Sequence, residues 1–354
     1  MSNVRENGAE ARDLASAVSK GAAVSATTTD RPETIRPPIA PAGSGDRPTR
    51  RRVPFRMQFR RDAPLLVMVT PAVVLLLLFV YIPLLGNVIA FMDYQPYIPI
   101  PDSPWVGFAN FTALFTDQAF WNAVSNTLQI TFIQLVLFFP VPIALAIFIH
   151  SLTWPWLRSI VQSVLYLPHF LSWVIVVGFF QQSLGSGGVL NTWLRQLDLG
   201  TVSVMSDPAT FKLLLSSQVI WKDAGWGTII FLAALAAIDD SLYEAAAIDG
   251  AGAWSRFWHI TLPGIRPIIV LLLILRLGEA LSVGFEQIIL QRNAVGPGAA
   301  EVLDTYVYYH GVIDGNWSTG IAAGLIKGLV GLILILVANK AAHMLGEQGV
   351  YSKS

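Results

Sequence analysis

The side chains that could do covalent chemistry are few and scattered in this sequence. There is no cysteine, which excludes disulfides, thiolate metal sites and cysteine nucleophiles. The five histidines, His150, His169, His259, His310 and His343, include no pair at the i, i+4 spacing by which two imidazoles share a metal ion. No metal centre is expected. No stretch reads Gly-x4-Gly-Lys-Ser/Thr, and Lys327 lies in a glycine-rich apolar run without that spacing. The backbone cradle that an ATPase needs for nucleotide phosphates is therefore missing. Serines and histidines occur without a nucleophile elbow. The conspicuous ionisable residues are instead those set in apolar surroundings: Arg276, Glu279, Glu286 and Lys327.

Composition says what those surroundings are. Of 354 residues, 54% are hydrophobic and only 13% charged, about half the charged share of an ordinary soluble domain. A single soluble core does not grow large enough to hold that excess; a bilayer does. About half of the 23 Lys and Arg precede residue 62, in a segment rich in Ala, Ser, Thr and Pro. This segment has too little apolar surface to offset its ordering entropy, so residues 1–62 are expected to be a disordered basic tail and 63–354 a membrane domain. The tail ends in Arg47, Arg50, Arg51, Arg52, Arg56, Arg60 and Arg61, a run suited to the cytoplasmic side of a first membrane helix.

Six apolar stretches follow, at about 65–91, 123–149, 160–183, 213–237, 266–290 and 319–343, each near the ~20 residues that cross a bilayer. The chain is thus expected to be an all-α integral membrane protein with about six transmembrane helices. With the basic tail inside, both termini are cytoplasmic, and the loops at 92–122, 184–212 and 291–318 face outward. On this reading Arg276, Glu279 and Glu286 lie on the fifth span and Lys327 on the sixth, turned toward the interior of the assembly because charge in lipid is costly. Arg276 and Glu279 are three apart and can meet on one helix face; Glu286 lies two turns farther along the same side. Two roles are open. One is an ion-paired network joining the fifth and sixth helices through Lys327; the other is contact of Glu279 or Glu286 with a solute or a gate.

The inside loop at 239–265 is the most informative part. Asp239, Asp240 or Ser241 can cap a helix N-terminus. Leu242 to Ile248, with three successive alanines, is a good helix former, and Gly250 can take the left-handed conformation that ends it. A second short helix from about Ala253 places Trp254, Phe257 and Trp258 at helical spacing, and Pro263 and Pro267 are expected to break the chain before the next span. A short helix, a sharp turn and a second helix make an element that can dock in a groove on a partner.

The pattern Glu244-Ala245-Ala246, three residues, Gly250, nine residues, Ile260-x-Leu262-Pro263 resembles the signature (EAA) loop of binding-protein-dependent ABC importer permeases, without departures. From about residue 65 to the end the chain is similar to the oligosaccharide and polysaccharide permeases of the maltose-permease superfamily. The supporting stretches are Tyr166 to Trp173, Gly284-Phe285-Glu286-Gln287, Val302 to Tyr308, and the last span with Asn339 near its end. The resemblance implies the MetI-like arrangement of helices in a bacterial inner membrane. It also implies a second permease subunit, with a heterodimer suggested by the subgroup, an extracytoplasmic solute-binding protein, and separate ATPase subunits that use ATP and Mg. The chain itself would bind no cofactor. The loop would be the ATPase-coupling element, comprising Glu244, Ala245, Ala246, Asp249, Gly250, Ile260, Leu262 and Pro263: Glu244 would pair with a basic group, Ala245 and Ala246 would allow close approach, Gly250 would set the turn, and Leu262-Pro263 would fix the exit into the fifth span.

Sugar sites combine stacking aromatics with hydrogen-bonding side chains, which makes Trp173, Gln181, Glu279, Phe285, Glu286 and Gln287 the candidate substrate pathway. A permease for another solute would share the loop. A self-sufficient secondary transporter or channel would have no use for it, and six spans with short loops leave a membrane enzyme no catalytic domain.

Overall fold

The computed structural model describes the backbone of residues 55–344, 346, 347 and 349, with side chains from residue 62. The expected basic tail lies outside the described residues as far as residue 54. The chain divides into two units, residues 1–69 and 70–354. The described part of the first is the start of the helix Phe55–Leu76. That helix carries the last arginines and the first apolar residues together, so the change in composition at residue 62 is not a change in backbone.

Among the described residues, six helices are long and apolar enough to cross a membrane: Asp62–Phe91, Gln118–Ser151, Trp173–Gln196, Phe211–Ala236, Ala253–Gly278 and Trp317–Met344. The architecture follows from the solvent. In hydrocarbon every backbone N–H and C=O must find a partner within the protein, and a helix provides one internally. Large apolar side chains such as Phe79, Leu85, Phe132 and Val337 accordingly face outward. The fourth span is the most enclosed. Its C-terminal half joins the second and fifth spans in a cluster of Ala146, Ile149, Phe231, Leu232, Leu235 and Ile265.

Prolines are accommodated in a recurring way. Pro83, Pro140 and Pro263 each lie two residues beyond a π-helical turn: Leu77–Tyr81, Gln134–Phe138 and Phe257–Thr261. Proline lacks the N–H for the usual bond and its ring presses on the carbonyl one turn back; widening that turn relieves the pressure. This corrects the expectation that Pro263 and Pro267 break the chain. The helix continues from Ala253 through both prolines to Gly278.

The fifth span therefore begins and ends earlier than 266–290. It stops at Gly278, the chain turns at Gly284 with φ +73°, and a separate short helix, Phe285–Ile289, follows. The third span differs as well. A helix Pro155–Tyr166 precedes a 3-10 turn, Leu167–Phe170, and Trp173–Leu184 begins only after the extended Ser172. Pro168 withdraws a donor in the middle of the apolar run, and Ser172 restarts the helix by accepting from Ile175 N at 3.4 Å.

Gly225 fixes where this interruption lies. A Cβ there would stand 2.0 Å from the Leu165 carbonyl oxygen, so the segment ending at Tyr166 runs against the middle of the fourth span. Gly225→Val is expected to cost at least about 1–3 kcal/mol, because the obstacle is backbone. The check is the yield and thermal midpoint of detergent-extracted protein by size exclusion. An unchanged midpoint would refute the close approach.

Candidate functional site

The loop helix is built as its residue types require. The Asp239 carboxylate caps Asp240–Ile248, accepting from Ser241 N at 2.9 Å. That bond holds the Asp239 carboxyl below the usual carboxylate range. At the other end Gly250 N donates to Ala247 O at 3.1 Å and Ala251 N to Ala246 O at 2.9 Å. Gly250 adopts φ +75°, the left-handed turn its type allows.

Two contacts fasten this helix to the root of the fifth span. The Tyr243 hydroxyl and Thr261 Oγ1 are 3.0 Å apart. Ile238 fills the space beside Gly264, where a Cβ would lie 2.6 Å from Ile238 Cδ1. Sequence reasoning passed over both pairs, since neither residue type is distinctive by itself. Glu244, Ala245, Asp249 and Gly250 are exposed, while Ala246, Ile260 and Leu262 are half-buried and Pro263 is exposed at the root. Ile248 is 87% exposed and Trp254 73%, with Trp254, Phe257 and Trp258 in mutual ring contact. The result is a short, capped, rigidly tethered helix presenting a carboxylate and apolar side chains.

A second cluster lies deep in the membrane domain. Lys222 and Asp223 stand near the middle of the fourth span, and sequence reasoning missed them although two adjacent charges in an apolar run were a readable signal. Lys222 is buried. Its ammonium donates to His169 O at 2.5 Å, lies 3.9 Å from Asp223 Oδ1, and sits 5.6 Å from the centre of the Trp173 ring. His169 Nδ1 meets Asp223 Oδ1 at 2.9 Å, and its ring stacks on Trp226 at 4.4 Å and 6°. The interruption at Leu167–Ser172 frees the carbonyl that Lys222 uses. Irregular backbone at membrane depth persists where protein covers it or where it lines a wet cavity. The His169 and Asp223 side chains keep about a third of their surface accessible.

Of the expected pathway residues, Trp173 joins this cluster and Gln181 lies two turns along the same helix. Phe285 packs edge-on against Tyr308 at 5.4 Å, and Glu279 and Glu286 are exposed. Because the span stops at Gly278, Glu286 does not continue the face of Glu279. Gln287 leaves the pathway: it is buried, its amide spent on Leu215 O at 2.9 Å and Gln218 Oε1 at 2.7 Å. With Gln291 it fastens the short helix to the fourth span.

The expected ionic network is also redrawn. Arg276 donates to Gln134 Oε1 at 2.8 Å and covers the Phe138 ring. Lys327 pairs with Asp304, whose helix Leu303–Tyr306 follows the fifth span, and not with the carboxylates expected. Among the described residues no three His, Asp or Glu side chains come together as a metal site would need.

Comparison with known proteins agrees with this architecture. Residues 138–340 match the family described as binding-protein-dependent transport system inner membrane component. The chain belongs to that family, a multi-pass protein of the inner membrane. It is 44% identical over 288 residues to the polygalacturonan/rhamnogalacturonan transport system permease protein YteP of Bacillus subtilis (strain 168), covering 81% of this chain and 90% of that protein. Protein LplB of the same organism is 40% identical over 315 residues, with 89% and 97% covered. Among solved structures, a bacterial ABC transporter involved in the import of the acidic polysaccharide alginate matches with TM-score 0.75 and 38% identity, over 82% of this chain and 98% of that one. A bacterial alginate ABC transporter in complex with an alginate pentasaccharide-bound periplasmic protein matches with TM-score 0.77 and 37% identity, over 84% and 99%.

Proposed function

We propose that this chain is the permease subunit of an ATP-driven importer of oligosaccharides or polysaccharide fragments, forming half of the pathway with a second permease. The observation that carries this is the tethered helix Asp240–Ile248, whose exposed carboxylate and apolar side chains have the form of a docking lever. The polygalacturonan/rhamnogalacturonan permease and the alginate importers it resembles support the substrate class.

Glu244 pairs with a basic group of an ATPase subunit, which binds ATP and Mg, and Ala245 and Ala246 permit close contact. Gly250 sets the turn, and Tyr243 with Thr261 passes the motion to the fifth span. Both termini lie on the cytoplasmic side. A binding protein delivers the sugar from outside, and the His169–Asp223 cluster with Trp173 and Trp226 offers it stacking faces and a hydrogen-bonding carboxylate.

The test is purification from native membranes in mild detergent with identification of what accompanies the chain. A nucleotide-binding subunit and a second permease are expected. Glu244→Arg should lower the recovered ATPase more than about tenfold, as removal of a charge-pair partner at an interface does. Solute uptake by the lone chain in liposomes without ATP would establish a secondary transporter instead.

A further inference from the structure

We propose a second saccharide subsite at the outer end of the third span, in the groove between Trp173–Leu184 and Val189–Gln196. It would hold further sugar units of a chain whose leading end reaches the His169–Asp223 cluster. This rests on the saccharide-permease reading and its orientation. The groove has a volume of roughly 530 Å³ and is lined by Gln181, Gln182, Thr192, Trp193 and Gln196 around Gly187 and Gly188. No lining side chain is charged. Among the described residues the three glutamines make no side-chain hydrogen bond, and Trp193 is 66% exposed. Each amide can donate and accept at once, the requirement for pairing with adjacent sugar hydroxyls, and an exposed indole supplies a flat face for the C–H side of a sugar ring.

The groove is held in shape before any ligand arrives. Asn191, fully buried beneath it, donates to Gly185 O at 2.9 Å and Val202 O at 2.8 Å and accepts from Val202 N at 2.7 Å. Thr192 Oγ1 donates to Gly188 O at 3.0 Å, and Arg195 Nη1 to Ser186 O at 3.2 Å. The bend tolerates no side chain at two positions: a Cβ on Gly185 would lie 2.4 Å from Gln181 O, and one on Gly188 2.7 Å from Gln182 O. The internal bonds are thus spent on shape, and the lining amides are left unspent. The backbone that carries them is preorganised, so a ligand must order the exposed amides but need not shape the groove.

The groove also continues the deeper cluster. Trp173, Phe180 and Gln181 stand at i, i+7 and i+8 and so share a helix face, about 12 Å from end to end at helical rise. Phe180 meets Trp221, the residue before Lys222, with ring centres 5.9 Å apart.

The experiment uses the whole importer, both permeases with ATPase and binding protein, in proteoliposomes. The probes are alginate and galacturonan di- and pentasaccharides. For the double variant Gln182→Ala/Trp193→Ala, KM for the pentasaccharide should rise about tenfold relative to the disaccharide, the loss of one hydrogen bond and one stacking contact. Restoring the ring with Trp193→Phe should recover most of that ratio. Equal changes for both lengths with weakened stimulation of ATP hydrolysis by the binding protein would make the groove a protein contact and overturn the proposal, as would no change. If the wild-type importer takes up neither these probes nor neutral glucan and galactan fragments of the same lengths, the saccharide reading fails, and this subsite with it.

Discussion

Gly250→Pro is expected to abolish ATP-coupled uptake while leaving membrane insertion and folded yield near those of the parent. The expectation follows from backbone geometry. Gly250 sits at φ +75° and nothing lies within 4 Å of where its Cβ would be, so space is not the obstacle. A proline ring holds φ near −65°, far from this turn, and removes the N–H that donates to Ala247 O. The chain must then leave Asp240–Ile248 in another direction, which pulls Tyr243 from Thr261 and loosens the lever at its root. The turn is on the surface and buries no apolar core, so the span bundle should persist. The graded series sharpens the test. An alanine at left-handed φ costs roughly 1–2 kcal/mol, and asparagine less because its short polar side chain is tolerated there. Uptake should therefore fall in the order Gly, Asn, Ala, Pro, measured beside binding-protein-stimulated ATP hydrolysis. Full uptake by Gly250→Pro would remove the lever reading.

What the sequence disclosed and what it hid divide along physical lines. The spans were legible because ~20 apolar residues have few other destinations. The loop was legible because a cap, an alanine run and a left-handed glycine are local devices, and Asp239, Ala245 to Ala247 and Gly250 behave as their types dictate. Proline reads as a breaker at 263 and 267, yet the helix relieves the strain at Pro263 with a π turn and continues through Pro267 without stopping. The converse case is 167–172, where the apolar run conceals a segment that Pro168 unwinds and tertiary packing then sustains: the Lys222 ammonium satisfies a carbonyl released there. The pathway residues were the least legible. Gln287 and Trp173 are equally plausible as types, and only packing turns one inward to Gln218 and leaves the other beside Lys222. Asp304, which neutralises Lys327, lies in a short helix between spans, where spacing along one helix says nothing.

Asp223→Leu should be among the most damaging single changes in the membrane domain, and its pairing with Lys222 can separate scaffold from pathway. With the carboxylate gone, a buried ammonium keeps the His169 carbonyl but loses the counter-charge 3.9 Å away. Removing one partner of a fully buried pair costs about 3–5 kcal/mol, and less here because Asp223 keeps about a third of its surface accessible, whereas replacing both by apolar groups is often neutral. Folded yield and thermal midpoint should thus fall sharply in Asp223→Leu and return toward the parent in Lys222→Leu/Asp223→Leu. Uptake need not follow. If Asp223 and His169 present hydrogen-bonding groups to a passing sugar, the double variant folds but transports poorly, because an apolar surface replaces the carboxylate beside the Trp226 face. If the pair only neutralises itself inside the bundle, uptake returns together with stability. The two measurements on one double variant therefore decide whether charge in the middle of the fourth span is there for the fold or for the solute. Trp226→Leu in the same background then tests the stacking face, whose loss should raise KM without lowering the thermal midpoint, since that ring is nearly half exposed.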